Sequence, residues 1–161
     1  MIKVILLGSG NVATHLFQAF SKASEVEVVQ VFSRTISKDF PESIQTSDFT
    51  QILEADVYII CVSDNAIASV SNQLQFENRL VVHTSGSTDF DVLDAKNKRG
   101  VFYPLQTFSK NKPVDFTEIP IAIIFLERIF QILFEFLIFF KVYLSLIEAE
   151  KIRFGFIHEF L

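Results

Sequence analysis

The sequence contains little of what several classes of functional site require. Its 161 residues include one Cys, three His and no Trp, with no Cys cluster and no His pair at metal-ligand spacing. We therefore expect no bound metal, because such sites need clustered ligands. The single cysteine, Cys61, lies inside an apolar run and cannot form a disulfide within the chain. We expect it to be a buried thiol in a reducing compartment, since no adjacent base supports a nucleophilic role.

The charge balance and the start of the chain argue against further classes. The net charge is −5 and the pI is about 5.2, so the basic face that a nucleic-acid partner needs is not expected. The apolar run after Met1 is too short for the core of a signal peptide, which predicts a cytoplasmic protein. No segment resembles a nucleophile elbow, so a Ser–His–Asp hydrolase is unsupported.

A glycine pattern at the N-terminus carries the clearest functional signal. The apolar run 4–7 leads directly into Gly8-Ser9-Gly10-Asn11-Val12-Ala13, and a helix is predicted over 12–23. In a dinucleotide site the first glycine makes a tight turn and the second lets a pyrophosphate approach the backbone, while the small Ala13 allows close helix–strand packing. The N–H groups at the helix start would face the phosphates. We expect Gly8, Ser9, Gly10, Asn11 and Val12 to contact a cofactor; the alternative is a glycine-tightened turn that binds nothing.

The end of the second predicted strand, residues 25–32, indicates which nucleotide is bound. Ser33, Arg34 and Thr35 follow this strand, where an NAD site usually has an acid about 20 residues beyond the glycines. A guanidinium makes paired, charge-assisted bonds to a phosphate, whereas an acid would repel it. The pattern predicts NADP, with these three residues at its 2′-phosphate. The alternative is that Arg34 is a solvated surface residue.

Strands and helices alternate along the rest of the chain. Strands are predicted over 56–63, 79–84 and 100–103, and helices over 64–74 and 89–98, with a short helix beginning at Asp48. Asp64 and Asn65 are expected to cap the helix over 64–74. This alternation predicts an α/β fold with a Rossmann-like, doubly wound, mostly parallel sheet covered on both faces. The length fits one domain with a sizeable core.

Polar residues stand at the predicted carboxyl ends of the strands, where ligands bind in such sheets. We expect Val62, Ser63, Asp64, Thr84 and Ser85 to border the cofactor. The alternative is that Ser63 and Asp64 only cap a helix and that the residues after Thr84 form an ordinary turn.

Two of the strand-end residues are weak candidates for catalysis. Ser85 and Tyr103 are expected to contact substrate or donate a proton, although Ser85 could equally be a plain turn residue. Tyr103 would need a cationic neighbour to act as an acid near neutral pH, and Lys110 is the nearby candidate in sequence. His83, inside an apolar strand, is expected to be a satisfied, partly buried histidine.

Five segments together resemble one protein family. They are Gly8–Ala13, Ser33-Arg34, Val62–Ile67, His83–Ser87 and Gly100–Phe108. The chain is similar to Rossmann-like oxidoreductases with a C-terminal helical domain of unknown function, which are related to pyrroline-5-carboxylate reductases and deazaflavin-dependent NADP oxidoreductases. The resemblance implies an NADP-binding domain over 1–120, then an all-helical dimerisation domain, with the active site between them. It supplies no substrate. Wider relatives often have His where this chain has Tyr103, which weakens an acid–base role there.

The Phe-rich tail, residues 121–161, departs from the resemblance. It is predicted to be helical, as a remnant of or lead-in to the dimerisation domain. Glu127, Arg128 and Glu135 interrupt it, which argues against a membrane helix because such a helix needs about 18 nearly uncharged residues. A buried helix with a narrow polar stripe fits better. A damaged reading frame is a third interpretation.

Two classes of function remain open from the sequence. The first is an NADP-dependent oxidoreductase that acts on an unknown small molecule, complete as a homodimer or with a further domain. The second is a nucleotide-binding module, or a truncated remnant, without turnover.

Overall fold

A computed structural model describes residues 1–110, 112, 114–116 and 118–125. Within these residues the chain forms one sheet with two α-helices packed on it. The strands are β1 (Ile2–Leu7), β2 (Val26–Phe32), β3 (Gln45–Thr46), β4 (Val57–Ile60), β5 (Leu80–His83), β6 (Lys98–Pro104) and β7 (Ile121–Phe125). The helices are α1 (Asn11–Phe20) and α2 (Asp64–Ser71), and 3₁₀ turns cover Glu42–Ile44, Phe49–Gln51 and Phe90–Val92.

The order of the strands across the sheet is β3-β2-β1-β4-β5-β6-β7. Neighbouring strands from β3 to β6 run parallel, and β7 runs antiparallel to β6. The chain builds outward from β1 to β3 on one side, then returns to place β4 on the other side of β1. This is the doubly wound arrangement, so the predicted fold class is confirmed.

The two helices cover opposite faces of the sheet, because alternate residues of a strand point to opposite sides. Val4 of β1 packs in one core cluster with Leu16 of α1, whereas Ile5 packs in the other with Ile67 of α2. All four side chains are fully buried, and each such burial contributes about 1.5–3 kcal/mol to folding.

The helix predicted over 89–98 is wrong. Only a 3₁₀ turn, Phe90–Val92, forms there, and β6 already begins at Lys98. The reason lies in the acidic side chains: Asp89 accepts a hydrogen bond from the Asp91 N–H, and Asp94 accepts one from the Lys96 N–H. Such local side-chain bonds compete with the helical backbone pattern.

Three other helical predictions are shortened, and the first is α1, which was predicted over 12–23 and ends at Phe20. Asp48 caps its segment as expected, accepting a hydrogen bond from the Thr50 N–H at 2.8 Å, but the element is a single 3₁₀ turn. α2 ends at Ser71, and its N-cap residue is Ser63 rather than Asp64, which lies in the first turn. The shift matters because it leaves the Asp64 carboxylate available for a contact across the sheet edge.

The first five residues of the expected helical tail form a strand. Ile121–Phe125 is β7, which pairs with β6 at the edge of the sheet. The helix predicted from Ile121 is therefore wrong at its start. The remaining tail, residues 126–161, lies outside the described residues, and its predicted helicity stays a prediction. Across the described residues, no helix combines the length and apolar character needed to cross a bilayer.

The end of β1 lies against the end of β4 with no room for a side chain. Gly8 has a φ of +130°, which L residues rarely adopt. A Cβ at this position would overlap the Cys61 carbonyl group and lie 3.1 Å from a methyl carbon of Val62. Gly8 therefore lets the turn after β1 pass close to β4. Cys61 is buried, as predicted, and burial raises the pKa of its thiol to about 12.

We expect Gly8→Ala to lower the free energy of unfolding by about 3 kcal/mol, from backbone strain and steric overlap together. Urea unfolding of the purified chain measures this change. Gly10→Ala is the matched control, because no atom lies within 4 Å of a Cβ there and the cost should stay below about 1 kcal/mol. Equal urea midpoints for the two variants would contradict the steric argument.

Candidate functional site

Four of the predicted binding segments meet at one edge of the sheet. Residues 8–12, 33–35, 62–64 and 84–85 follow β1, β2, β4 and β5, which are neighbours in the sheet. Because these strands are parallel, their carboxyl ends share an edge. The strand order reverses between β1 and β4, and this switch point is where α/β sheets of this kind have their ligand crevice.

The N-terminus of α1 is open toward this crevice. Gly10 is the N-cap of α1, no side chain caps the helix, and its first turn contains no acidic residue. A Cβ at Gly10 would meet no atom within 4 Å. Gly10 and Asn11 are exposed, and Ser9 and Val12 are half-buried. The start of the helix therefore presents N–H groups that can donate hydrogen bonds to a negatively charged ligand.

The turn after β2 leaves one cation free. Ser33 is buried, and its hydroxyl donates a hydrogen bond to the Thr35 carbonyl at 2.6 Å. Arg34 and Thr35 are exposed. Within the described part of the chain, the Arg34 guanidinium has no hydrogen bond or ion pair. Ser33 thus shapes the turn, while Arg34 keeps all its donors for a ligand.

The ends of β4 and β5 are linked by a short polar network. Ser87 donates a hydrogen bond to Asp64 at 2.6 Å, and the Ser87 N–H donates to the Ser85 hydroxyl at 3.2 Å. The hydrogen bonds from Ser87 and Ser85 lower the pKa of the Asp64 carboxyl. Asp64 is therefore ionised at neutral pH and anchors the loop after β5 to the start of α2. Val62 is half-buried and Ser63 is exposed beside it.

His83 lies directly beneath this network. Its side chain is fully buried, and Nδ1 accepts a hydrogen bond from the Ser85 N–H at 3.2 Å. Nε2 has no hydrogen-bond partner among the residues described. The prediction of a partly buried histidine is wrong because the ring is fully buried, and the prediction of a satisfied one holds at Nδ1 but not at Nε2. Burial lowers the pKa of His83, which keeps the ring neutral and leaves Nδ1 free to accept.

The two candidate catalytic residues are placed differently. The Ser85 hydroxyl is nearly buried and donates to Thr88 at 2.9 Å, which fits the turn interpretation. Tyr103 is half-buried, and its ring packs on Gly86, where a Cβ would lie 2.5 Å from a ring carbon. Thr84 is half-buried and its N–H donates to the Ile60 carbonyl. Tyr103 is thus the better placed of the two hydroxyls for an incoming molecule.

A segment that the sequence patterns did not predict runs along the first turns of α1. The Asn11 side chain donates to the Phe108 carbonyl, and His15 bonds the Ser109 carbonyl, both at 3.1 Å. Lys110 lies 3.0 Å from Asp39, so it is paired there rather than held free as the predicted partner of Tyr103. The Tyr-Pro-Leu-Gln-Thr-Phe motif was the available signal, but its contacts are distant in sequence.

Among the described residues, no group of three His, Cys, Asp or Glu side chains is placed to hold a metal ion.

Comparison with known proteins finds a family whose sequence profile matches this chain. The sequence profile of the family described as NADP oxidoreductase, coenzyme F420-dependent, matches residues 3–86. A candidate NADP oxidoreductase from Bacteroides fragilis is 35% identical, with a TM-score of 0.60 over 76% of this chain and 51% of that one. No curated protein sequence matches the chain.

Two further solved structures share the fold at low identity. Protein TM1727 from Thermotoga maritima is 17% identical, with a TM-score of 0.65 over 85% of this chain and 53% of that one. Pyrroline carboxylate reductase from Plasmodium falciparum, solved with NADP bound, is 13% identical, with a TM-score of 0.64 over 84% and 52%. The chain therefore spans about half the length of the solved proteins it matches.

We expect stability to fall as the pH drops below 6.5, the ordinary pKa of His83. The folded pKa is lower than the unfolded one, so the neutral ring stabilises the fold fully above that pH and loses its contribution below it, by at most about 1.4 kcal/mol per pH unit. Urea unfolding between pH 7.5 and about 5 measures the slope of the free energy of unfolding against pH.

His83→Asn is the comparison variant for this slope, because an amide oxygen can replace Nδ1 as the acceptor without titrating. The fall in stability between the two pH values should be smaller in this variant. An unchanged slope would show that His83 is not the group responsible. Asp64 faces His83, and because hydrogen bonds from Ser87 and Ser85 lower the pKa of its carboxyl, Asp64 keeps its charge in this range.

Proposed function

The chain belongs to the coenzyme F420-dependent NADP oxidoreductase family, and on that premise we propose that it binds NADP in the crevice at the switch point. The supporting observation is the Arg34 guanidinium, exposed and without a partner in the described part of the chain. It follows β2, where a 2′-phosphate lies in NADP sites of this fold. The open turn at Gly10 would receive the pyrophosphate on the N–H groups of α1.

The proposed activity is NADP-dependent oxidation or reduction of a small molecule. Bound NADP would supply the hydride chemistry, while the protein orients the cofactor and sets the electrostatic field around it. Asp64 and Ser87 would hold the loop beside the crevice, with Ser63 and Thr84 at its border. Tyr103 would face the substrate. The substrate itself stays open, because the chain covers only about half of its solved relatives.

A binding module without turnover is the second candidate. The Ser85 hydroxyl is committed to hydrogen bonds within its own loop, and Lys110 is paired with Asp39. The cation predicted beside Tyr103 is therefore engaged elsewhere in the described part of the chain. A module of this kind would bind NADP and lack a proton donor.

We also propose a cytoplasmic homodimer. The buried thiol of Cys61 is compatible with a reducing compartment. Dimerisation would use the part of the chain after β7, in line with the helical domain that the family resemblance implies.

We expect Arg34→Ala to weaken NADPH binding by about tenfold to a hundredfold, because charge-assisted hydrogen bonds to the 2′-phosphate are lost. NADH affinity should not change, since NADH lacks that phosphate. Titration followed by nicotinamide fluorescence measures both constants. Arg79→Ala is the matched control: Arg79 precedes β5 at the opposite edge of the sheet, where it pairs with Glu54. An Arg34 variant with unchanged NADPH affinity would refute the proposed cofactor contact.

Turnover separates the enzyme from the binding module. We expect the full chain to oxidise NADPH steadily with at least one member of a panel of cyclic imines and 2-oxo acids, measured by loss of nicotinamide absorbance. Tyr103→Phe should lower the rate without changing NADPH affinity, because it removes only the hydroxyl. Tight NADPH binding with no turnover across the panel would favour the module instead.

A further inference from the structure

The segment Phe108–Lys110 joins two parts of the proposed cofactor site. Its first carbonyl bonds the side chain of Asn11 at the start of α1, and its second bonds His15 one turn later. Its third residue, Lys110, forms an ion pair with Asp39, in the loop after β2. The segment therefore runs along α1 from the glycine turn toward the loop that carries Arg34.

Asp39 is held firmly on that loop. The Gln45 side chain of β3 donates hydrogen bonds to the Ser37 and Phe40 carbonyls, at 2.8 and 2.9 Å. Phe40 is buried and packs edge-on against Phe17 of α1. The neighbouring Asp39 carboxylate thus stands at a defined place on the short loop that begins at Ser33.

A fixed carboxylate on this loop would oppose the binding that Arg34 is suited to make. A 2′-phosphate held by Arg34 carries negative charge, and charges interact over about 8–10 Å at physiological ionic strength. The Lys110 ammonium cancels the Asp39 charge at 3.0 Å. NAD has no phosphate at this position, so the neutralisation of Asp39 would affect the binding of NADP alone.

We propose that Lys110 determines selectivity for the 2′-phosphate by neutralising Asp39, which lies on the same loop as Arg34, between β2 and the 3₁₀ turn at Glu42. This inference rests on the proposed function. It assigns a role to a residue far from Arg34 in sequence. Lys110 acts through Asp39, so it is a positioning and specificity residue rather than a catalytic one.

The test is a set of NADPH and NADH titrations on the full chain, followed by nicotinamide fluorescence. We expect Lys110→Ala to weaken NADPH binding about fivefold and to leave NADH binding unchanged. Asp39→Asn combined with Lys110→Ala should restore NADPH affinity, because the unpaired carboxylate is then gone. Lys22→Ala removes the same charge just beyond the far end of α1 and should alter neither affinity.

Three results would overturn the inference. They are an equal loss of NADPH and NADH affinity in Lys110→Ala, no loss of either, or a double variant that stays as weak as Lys110→Ala. Thermal unfolding controls for the fold, since the Lys110 side chain is 64% exposed and an exposed pair adds little stability. Arg34→Ala separates the two claims: if it loses NADPH selectivity and Lys110→Ala does not, only the inference fails.

Discussion

The close approach of β1 and β4 at Gly8 is the constraint on which the crevice depends. The two strands are neighbours in the sheet although they are distant in sequence, and the turn after β1 must leave the sheet directly beside the Cys61 carbonyl. A residue without a side chain and with a positive φ makes this turn possible. The turn then directs the start of α1 toward the switch point, and the rest of the site is arranged around that helix end.

Charges around the crevice divide into paired and free groups. Asp64 is held by Ser87, and Asp39 is paired with Lys110, so the acids near the crevice are engaged by the protein itself. Arg34 has no such partner among the described residues. A site organised in this way offers an anion one free guanidinium and an uncapped helix start, while its carboxylates are kept occupied. This distribution is what the proposed recognition of NADP uses.

Local patterns predicted the elements that bury an apolar face. β1, β4 and β5 appear where short, nearly continuous apolar runs occur, and β2 appears where apolar residues loosely alternate. The failures occur where polar side chains bond their own backbone, as Asp89 and Asp94 do, or where the next element is set by pairing across the sheet, as in β7. The spacing of apolar residues along the chain does not show either effect.

The sequence by itself determined the doubly wound class and the glycine turn, because hydrophobic periods and the need for a residue without Cβ are local properties. The sequence also placed Arg34 at the end of the second strand, because its spacing from the glycines is enough to identify that position. Only the tertiary structure decided that His83 is buried with one unpartnered nitrogen, that Ser85 is committed to its own loop and that Lys110 meets Asp39. These contacts join residues from different strands and loops, and their energies depend on distances that no short sequence pattern encodes.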